Sequence, residues 1–392
     1  MKYRICVFTG TRAEYGLLRP LIQEIKSDKD LELKLIASCM HLSPEFGLTY
    51  KEIEKDKIEI NEKIEILMSS ATSIGTIKSI GVGLISFPEI LSNLKPDLSI
   101  ILGDRFEALA FAISCYFLKI PIAHLYGGEV TYGSFDENIR HSITKLSYLH
   151  FTSTEEYRKR VIQLGEDPKR VFNVGSLSID NIKKLIFLNR KELEEKLSIK
   201  FKKINFLITY HPEMSEENTE KGIENLLKSL EDFYNSEKDS LFIFTKSNAD
   251  PYNNIINLKI EEFTKKYPSN SVLFDSLGEV LYLSTMKEVN AIIGNSSSGI
   301  IYSSSFKIPV VNIGDRQKGR IKPQNVIDSS INYSDIKKAI KKSLSHEFIS
   351  TIRFTKNPYG VGNSAEKIKN IIKKFLPIKN PVKIFFDINH DK

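Results

Sequence analysis

Short apolar runs alternate with helical patterns along most of the chain, and each run stops at a polar loop. The two clearest runs cover residues 98–102 and 120–125. Gly-Asp-Arg at 103–105 ends the first run, and Tyr-Gly-Gly-Glu at 126–129 ends the second. Apolar strands of this kind, separated by helices, are typical of a parallel sheet that is buried on both faces. The pattern therefore predicts an α/β fold built on parallel sheets.

The alternation of strands and helices occurs in two successive parts of the chain. At 392 residues the chain is longer than one hydrophobic core usually covers, so two domains are expected. We place the first domain at residues 1–180 and the second at 181–362. A basic amphipathic helix starts at residue 363, and the segment 363–392 is predicted to pack back on the first domain. Strands are predicted at residues 3–8, 31–40, 98–102, 120–125, 149–152 and 171–174, and then at 204–209, 241–245, 289–293 and 308–313.

One stretch fits the alternation poorly. Residues 43–87 are less regular, with Ser, Thr and Gly near positions 69–83, and we expect a mobile flap there. A short helix is predicted at 88–94, leading into the next strand. No run in the sequence approaches the roughly 18 apolar residues that a membrane-spanning helix needs, so no membrane segment is expected.

Charged side chains collect at the strand ends of the first predicted domain. Ligands of open parallel sheets bind beyond the carboxyl ends of the strands, so we expect these side chains to share one crevice. Asp136 also has a simpler explanation, since aspartate is a favoured N-cap for the helix predicted from residue 137. Its spacing from Arg140 would equally suit a plain surface ion pair. The residues expected in the crevice are Asp104, Arg105, Glu129, Asp136, Arg140 and His141.

Two loops have the pattern of anion-binding sites. Residues 9–16 and 296–299 place glycine or serine ahead of a predicted helix, whose first amide groups are unpaired and attract anions. Arg12 adds positive charge to the first loop, and Arg316 or Arg320 would supply a forked donor for a diphosphate. The alternatives are a tight turn for the first loop, a polar turn for the serines and ordinary surface charges for the arginines.

His211 follows the strand predicted at 204–209. We expect a functional role for it because that strand ends in a polar loop, like the strands of the first domain. The alternative is a loop histidine whose hydrogen bonds are satisfied within the fold.

Composition excludes several classes of function. The net charge is +7 and the pI is about 8.9, but the excess lysines are scattered, which indicates a solvated surface and no nucleic-acid interface. Cys6, Cys39 and Cys115 form no CxxC pair and are expected to be buried, reduced thiols of a cytoplasmic protein. No set of His, Cys and Asp has metal-ligand spacing, so no metal is predicted. The N-terminus is interpreted as a first strand and not as a signal peptide.

Taken together, the motifs resemble those of the hydrolysing UDP-N-acetylglucosamine 2-epimerases, bacterial enzymes that form N-acetylmannosamine for sialic acid. The order and spacing of the motifs carry the resemblance, which spans nearly the whole chain. It implies a GT-B fold, in which two Rossmann-like domains face each other across a cleft. The motifs are TGTRAEYG at 9–16, LGDRFE at 102–107, HLYGGE at 124–129, DENIRHSITKLS at 136–147, HPE at 211–213, SNAD at 247–250, GNSSSGI at 294–300 and VNIGDRQKGR at 311–320.

The resemblance also implies roles for single residues. Tyr126 and Tyr302 stand where relatives commonly carry glutamate, and Glu129 is expected to act in place of the first of these. No cofactor is implied, and the expected partners are a UDP-sugar and further copies of the chain in a homodimer or homotetramer, without nucleic acid or membrane. The implied catalytic residues are Asp104, Glu129, Asp136, Arg140 and His211, and the implied UDP-binding residues are Arg12, Asn248, Ser296, Ser297, Ser298, Arg316 and Arg320.

The implied reaction converts UDP-N-acetylglucosamine and water to N-acetylmannosamine and UDP by way of a 2-acetamidoglucal. A sister reaction on UDP-2,4-diacetamido-2,4,6-trideoxy-glucose, on the route to legionaminic acid, would use the same motifs. A GT-B glycosyltransferase and a non-catalytic sensor of nucleotide sugars are the remaining alternatives.

Overall fold

The structure is a computed structural model that describes residues 2–68, 72–131, 135–213, 215–247 and 252–388. The chain divides into two compact units, unit 1 with residues 1–183 and 359–392, and unit 2 with residues 184–358. Each unit contains one sheet, and the strand pairs in both sheets are parallel. The prediction of an α/β fold with two Rossmann-like parallel-sheet domains is therefore confirmed.

The sheet of unit 1 carries helices between its strands. Its strands are β1 (Tyr3–Thr9), β2 (Leu31–Ser38), β3 (Glu62–Ile64), β4 (Leu98–Leu102), β5 (Ile122–Leu125), β6 (Leu149–Thr152) and β7 (Val171–Asn173). Its helices are α1 (Arg12–Ser27), α2 (Tyr50–Lys55), α3 (Ser73–Leu94), α4 (Phe106–Phe117), α5 (Phe135–Leu146), α6 (Glu155–Gln163) and α7 (Leu177–Lys184). The strand order is β3-β2-β1-β4-β5-β6-β7, so the direction of the winding reverses between β1 and β4. Such a switch point is where open α/β sheets bind ligands.

Unit 2 repeats this design with six strands in the order β10-β9-β8-β11-β12-β13. Its winding reverses between β8 and β11. The strands are β8 (Ile204–Thr209), β9 (Ser240–Thr245), β10 (Ser271–Phe274), β11 (Ala291–Gly294), β12 (Val310–Ile313) and β13 (Val326–Ser329). The helices are α8 (Arg190–Leu197), α9 (Glu216–Ser236), α10 (Asn253–Lys266), α11 (Gly278–Glu288), α12 (Ser297–Phe306), α13 (Tyr333–Ser343) and α14 (His346–Ile352).

Helices cover both faces of the sheet in unit 1, which explains why its central strands are apolar throughout. Every residue of β4 and β5 is buried. On one face, α1 buries an apolar stripe that includes Leu18 and Ile22. On the other face, the ring of Phe8 stacks on that of Phe111 with centroids 4.5 Å apart. Each fully buried side chain of this kind stabilises the fold by about 1.5–3 kcal/mol.

The long helix α3 contradicts the prediction for residues 43–94. In place of a flap followed by a short helix, one helix of 22 residues runs from Ser73 to Leu94 and contains Pro88. Its buried face consists of Gly75, Ser79, Gly83, Phe87 and Leu91, four residues apart. A packed helix is identified in a sequence by apolar residues at helical spacing. Two glycines and a serine occupy positions on this face, so that spacing is not visible here.

The composition of α3 also corrects the expectation that no segment approaches the apolar length of a membrane-spanning helix. The helix is long and apolar enough to cross a membrane, judged by length and composition, and 28% of its most apolar window is buried. A single helix of this kind is weak evidence for a membrane span, because core helices of other proteins pass the same test.

The last helix, α15 (Ser364–Phe375), packs on α1 of unit 1. Asp180 of α7 accepts hydrogen bonds from the first two amides of α15, at 2.9 Å from Ser364 and 2.7 Å from Ala365. Lys369 and Lys373 form ion pairs with acidic residues in the last turn of α1 and just after it, at distances of 2.8–3.0 Å. The carboxylate at the helix N-terminus and the lysines near its C-terminus both complement the helix dipole.

Candidate active site

The buried guanidinium of Arg140 connects the strand ends of unit 1. Its side chain extends from α5 and is only 3% exposed. One terminal nitrogen donates to Asp104, directly after β4, and to Thr131 Oγ1 at 2.8 Å. The other donates to the backbone oxygen of Glu129 at 2.8 Å and to Glu137 Oε2 at 3.0 Å. The burial of Arg140 excludes the alternative of a plain surface ion pair.

Asp104 experiences opposing influences on its pKa. Burial disfavours the charged carboxylate and raises the pKa, while the charge and hydrogen bond of Arg140 lower it. The negative charge of Asp136 adds to the upward shift, and the net pKa of Asp104 lies above its ordinary value. A salt bridge alone would have lowered the pKa, so desolvation is the larger effect here. A carboxyl group with a raised pKa is suited to hold and release a proton during a reaction.

Asp136 and Glu129 belong to the same edge of unit 1. Asp136 lies in the first turn of α5, which begins at Phe135, and its negative charge contributes to the raised pKa of Asp104. The helix begins two residues earlier than predicted, so the expectation that Asp136 is its N-cap is wrong. Glu129 Oε1 accepts a hydrogen bond from Ser153 Oγ at 2.7 Å. Of the three expected carboxylates, the structure joins Asp104 to Arg140 directly and links Glu129 to Arg140 through its backbone oxygen.

Two other residues expected in the crevice have different partners. The guanidinium of Arg105 turns to Glu107, with Nε 2.6 Å from Oε1. His141 lies on α5 with Nε2 3.3 Å from Glu137 Oε1. His141 thus shares Glu137 with Arg140, and the charge of Arg105 lowers the pKa of Asp104.

Sequence reasoning missed His124, the buried support of this edge. Its Nε2 lies 2.8 Å from the backbone oxygen of Gly103, so this nitrogen is assigned the proton. Its Nδ1 lies 3.1 Å from Thr144 Oγ1 on α5. Burial lowers the pKa of His124 to about 3, so the ring is neutral. The ring thus ties the turn after β4 to α5, and its place within the HLYGGE motif was the available signal.

Tyr126 and Arg12 also have defined partners in unit 1. The hydroxyl of Tyr126 lies 2.9 Å from Ser176 Oγ and accepts from the amide of Leu177 at 3.0 Å. Arg12, at the start of α1, is 71% exposed and pairs with Glu52 at 3.0 Å. Arg12 therefore remains accessible to a ligand. A ligand that bound Arg12 would replace only a surface ion pair of small energetic value.

The strand ends of unit 2 are linked by Asn295, which follows β11. Its Oδ1 accepts from the amide of His211 at 2.7 Å, and its Nδ2 donates to His211 O at 2.9 Å and to Glu213 Oε1 at 3.0 Å. His211 is 5% exposed, and its Nδ1 lies 3.4 Å from Ser247 Oγ. Gly294 has φ +135°, and a Cβ there would lie 1.9 Å from the oxygen of Thr209. Only glycine therefore allows this approach of β11 to β8.

The serines predicted to bind phosphate begin helix α12. Ser296 is the N-cap, and its side chain makes no capping bond. Its hydroxyl lies 2.8 Å from that of Ser298, which in turn lies 2.8 Å from the hydroxyl of Tyr282. Ser297 is the first residue of the helix, where amides attract anions. The hydroxyls and amides together form a donor-rich end suited to phosphate oxygens.

The loop after β12 carries the two predicted arginines. Arg316 is exposed, and Arg320 Nε donates to Gln317 Oε1 at 2.9 Å. Gln317 Nε2 donates in turn to the backbone oxygen of Asn295 at 2.9 Å, so the loop is anchored to the end of β11. Sequence reasoning missed Asn295 and Gln317, although both lie within the quoted motifs.

Glu213 adds an acidic group to this edge of unit 2. Burial raises its pKa, although the hydrogen bond from Asn295 acts in the opposite direction. A cavity of about 510 Å³ opens beside Glu213, Asp315 and Lys318. Asn248, which was predicted to bind UDP, lies outside the described residues. Within the described ranges, no group of three or more His, Cys, Asp or Glu side chains is placed to hold a metal ion.

Two relatives share most of this chain. The chain is 50% identical over 348 residues to the GDP/UDP-N,N'-diacetylbacillosamine 2-epimerase (hydrolyzing) of Campylobacter jejuni, a match that covers 88% of this chain and 89% of that protein. It is 40% identical over 387 residues to the polysialic acid biosynthesis protein P7 of Escherichia coli, with 98% and 97% covered.

A solved structure has the same fold. The crystal structure of UDP-GlcNAc 2-epimerase from Neisseria meningitidis bound to UDP-GlcNAc matches with a TM-score of 0.79 at 21% identity, covering 95% of this chain and 100% of that one. The sequence profile of the family described as UDP-N-acetylglucosamine 2-epimerase matches residues 23–373. The chain therefore belongs to the UDP-N-acetylglucosamine 2-epimerase family.

Proposed function

We propose that the protein is a hydrolysing 2-epimerase that acts on a UDP-linked 2-acetamido sugar and releases UDP and the free 2-epimer. One observation carries the proposal. In a member of this family, the buried Arg140 binds Asp104 at the end of β4, and Asp104 has a raised pKa beside Asp136. A carboxyl group that is held by a buried arginine and influenced by the charge of a second carboxylate is suited to move a proton to and from a carbon atom.

The proposed reaction begins with elimination. One carboxylate of the Asp104–Asp136 pair removes the proton from C2, the C1–O bond to UDP breaks, and UDP leaves with the electron pair. A C1=C2 double bond results. Water then adds its oxygen to C1, and a proton returns to C2 on the opposite face, which gives the 2-epimer as a free sugar. Arg140 stays bound between Asp104 and Glu129 and keeps the carboxyl group oriented.

Unit 2 supplies most of the groups assigned to the nucleotide. Ser296, Ser297 and Ser298 begin α12, where hydroxyls and helix amides suit phosphate oxygens. Arg316 is exposed on the next loop and would offset charge on the departing diphosphate. His211 is held beside this edge through Asn295. Asn248, Arg12 and Arg320 complete the proposed UDP-binding set.

Two sugars are candidates. The chain is 50% identical to a relative named for N,N'-diacetylbacillosamine, which is a 2,4-diacetamido-2,4,6-trideoxy sugar. This identity favours the diacetamido substrate of a legionaminic acid route. The 40% identity to a protein named for polysialic acid supports UDP-N-acetylglucosamine and a sialic acid route as the second candidate. The resemblance of the sequence motifs had instead implied UDP-N-acetylglucosamine as the first candidate and the diacetamido sugar as the second.

The test is incubation of the purified protein with each UDP-sugar in deuterium oxide, followed by NMR. We expect UDP and a free 2-epimer that carries deuterium at C2, with faster turnover of the diacetamido sugar. Retention of the original hydrogen at C2 would rule out the elimination. Transfer of the sugar to an alcohol would instead identify a glycosyltransferase, and binding without release of UDP would identify a sensor.

A further inference from the structure

Two buried glutamates contact Gly10 at the switch point of unit 1. Glu14 of α1 uses Oε2 to accept from the amides of Gly10 at 2.7 Å and Thr11 at 3.2 Å. Glu107 of α4 uses Oε1 to accept from Arg105 Nε at 2.6 Å. A Cβ on Gly10 would lie 2.6 Å from that same Oε1, so the peptide and the Glu107 carboxyl group are in close contact. Both glutamates are almost completely shielded from water.

Each carboxyl group has one further oxygen that lacks a partner. Glu14 Oε1 and Glu107 Oε2 are both buried and accept no hydrogen bond from the part of the chain that the structure describes. A buried, unpaired carboxylate oxygen is costly, and two buried carboxylates side by side repel each other. A single proton between the two oxygens would remove both costs.

We propose that Glu14 Oε1 and Glu107 Oε2 share one proton and form a carboxyl–carboxylate hydrogen bond between α1 and α4. The capping loop at Gly10 and Thr11 is thereby joined to Arg105, the residue next to Asp104. The pair is a positioning device: it fixes the ends of β1 and β4 and takes no part in proton transfer to a substrate.

The electrostatics of the cluster agree with this arrangement. Burial, followed by the charge of Glu107, raises the pKa of Glu14 to about 8, against the opposing effect of Arg105. The other titratable groups nearby are Cys39 and His41. Burial raises the pKa of the Cys39 thiol, and burial lowers the pKa of His41 to about 4. Both are therefore neutral at pH 7, which leaves Arg105 as the nearby cation.

The sign of the pH dependence follows from the raised pKa. The folded state holds a proton that the unfolded chain releases above about pH 4.5, so this proton stabilises the fold at low pH. Its contribution is lost as the pH rises toward about 8. Over that range the proton should make the unfolding constant rise about tenfold per pH unit.

Glutamine variants test the pair through its hydrogen-bond geometry. In Glu14→Gln, the amide oxygen accepts from Gly10 and the amide NH₂ donates to Glu107. In Glu107→Gln, the oxygen accepts from Arg105 and the NH₂ donates to Glu14. Each single variant thus satisfies every bond without the titrating proton. In the double variant, the two amide oxygens accept from Gly10 and Arg105. The two NH₂ groups therefore face each other.

The first measurement is urea unfolding between about pH 5 and about pH 8, the range in which the shared proton acts. We expect both single variants to remain folded and to lose the tenfold rise of the unfolding constant per pH unit. The double variant should be less stable than the sum of the two single effects predicts. Glu45→Gln, at an exposed glutamate, is the control and should keep the wild-type slope. Additive effects in the double variant, or single variants with the wild-type slope, would overturn the proposal.

The second measurement is infrared spectroscopy of the wild-type protein, which needs no variant to fold. At about pH 6, most free carboxyl groups are ionised, and the shared proton should give a protonated C=O band that disappears above about pH 8. The band should be absent from the spectra of both single variants, while any band from Asp104 or Glu213 should remain. A wild-type spectrum without a band that titrates in this range contradicts the pair.

Discussion

Lys383 Nζ lies 2.6 Å from Glu166 Oε2 and attaches the C-terminal segment to unit 1. Glu166 is fully buried and also accepts from Lys145 at 2.6 Å and His150 at 3.0 Å. Burial alone would raise the pKa of Glu166, but the bond from His150 and the charge of Lys383 outweigh it and lower the pKa to about 2. The segment after α15 is therefore held by a buried charge network and is part of the fold of unit 1.

Replacing Lys383 with Met should lower the free energy of unfolding by about 2 kcal/mol, because charge-assisted hydrogen bonds to a buried carboxylate are lost. Lys383 also donates to the backbone oxygen of Ser147 at 2.6 Å, which would lose its donor. Lys379→Met, at an exposed lysine of the same segment, is the control and should change stability by less than about 0.5 kcal/mol. Urea unfolding measures both, and equal midpoints for the two variants would mean that the segment is not anchored in this way.

The same network predicts a loss of stability in acid. Burial lowers the pKa of His150 to about 4, so between about pH 6.5 and pH 4 the unfolded chain binds a proton that the folded protein does not. Stability should fall by about 3 kcal/mol from this residue as the pH decreases through that window. His150→Gln retains a donor for Glu166 and cannot titrate, so its unfolding free energy should vary less with pH. An unchanged pH profile would show that His150 is already protonated in the fold.

The strands that the sequence missed have one physical feature in common. The apolar pattern located the central strands of both sheets, including β4 at the bounds observed, Leu98–Leu102. It missed β3, β10 and β13, which are all edge strands with partly exposed residues. An edge strand has one neighbour and less apolar surface to bury, so its composition is close to that of a loop.

The candidate site shows a similar limit. Motifs and strand ends identified Asp104, Glu129 and Arg140, because each follows or faces a buried strand. The supports of the site, such as His124 and Asn295, were not identified, since their function depends on hydrogen bonds between elements distant in sequence. Sequence reasoning thus located the polar ends of the sheets, while the partners of each side chain required the fold.

Asp104→Asn should abolish turnover, because the amide can neither accept nor release a proton at C2. UDP affinity should stay within a few-fold, since Asp104 is not among the groups assigned to the nucleotide. Asp97→Asn is the matched control: this residue precedes the same strand, and its carboxylate accepts from the Arg4 amide at 2.7 Å, a bond that asparagine can keep. Release of UDP measures turnover, and calorimetry measures binding. Full activity of the Asp104 variant would remove this residue from the mechanism.

Ser297→Ala should weaken UDP binding, by several-fold if its hydroxyl contributes one hydrogen bond of about 1 kcal/mol to a phosphate oxygen. Ser304→Ala is the control on the same helix, because that buried hydroxyl has no partner among the described residues. Titration calorimetry with UDP compares the two variants. Equal affinities of the two variants for UDP would mean that the loop before α12 is only a structural turn.

Arg140→Gln should change both the stability and the pH dependence of the enzyme. Removing a buried cation leaves Asp104 without its charge partner, which should cost about 3 kcal/mol of unfolding free energy. The pKa of Asp104 should rise further, since Arg140 is the main influence that lowers it. The Asp104-linked limb of kcat/KM against pH should therefore move upward by about one pH unit or more. Arg19→Gln, which removes an exposed ion pair with Asp56, should leave that limb in place. If Arg140→Gln has a wild-type pH profile, Asp104 is not the group that titrates during turnover.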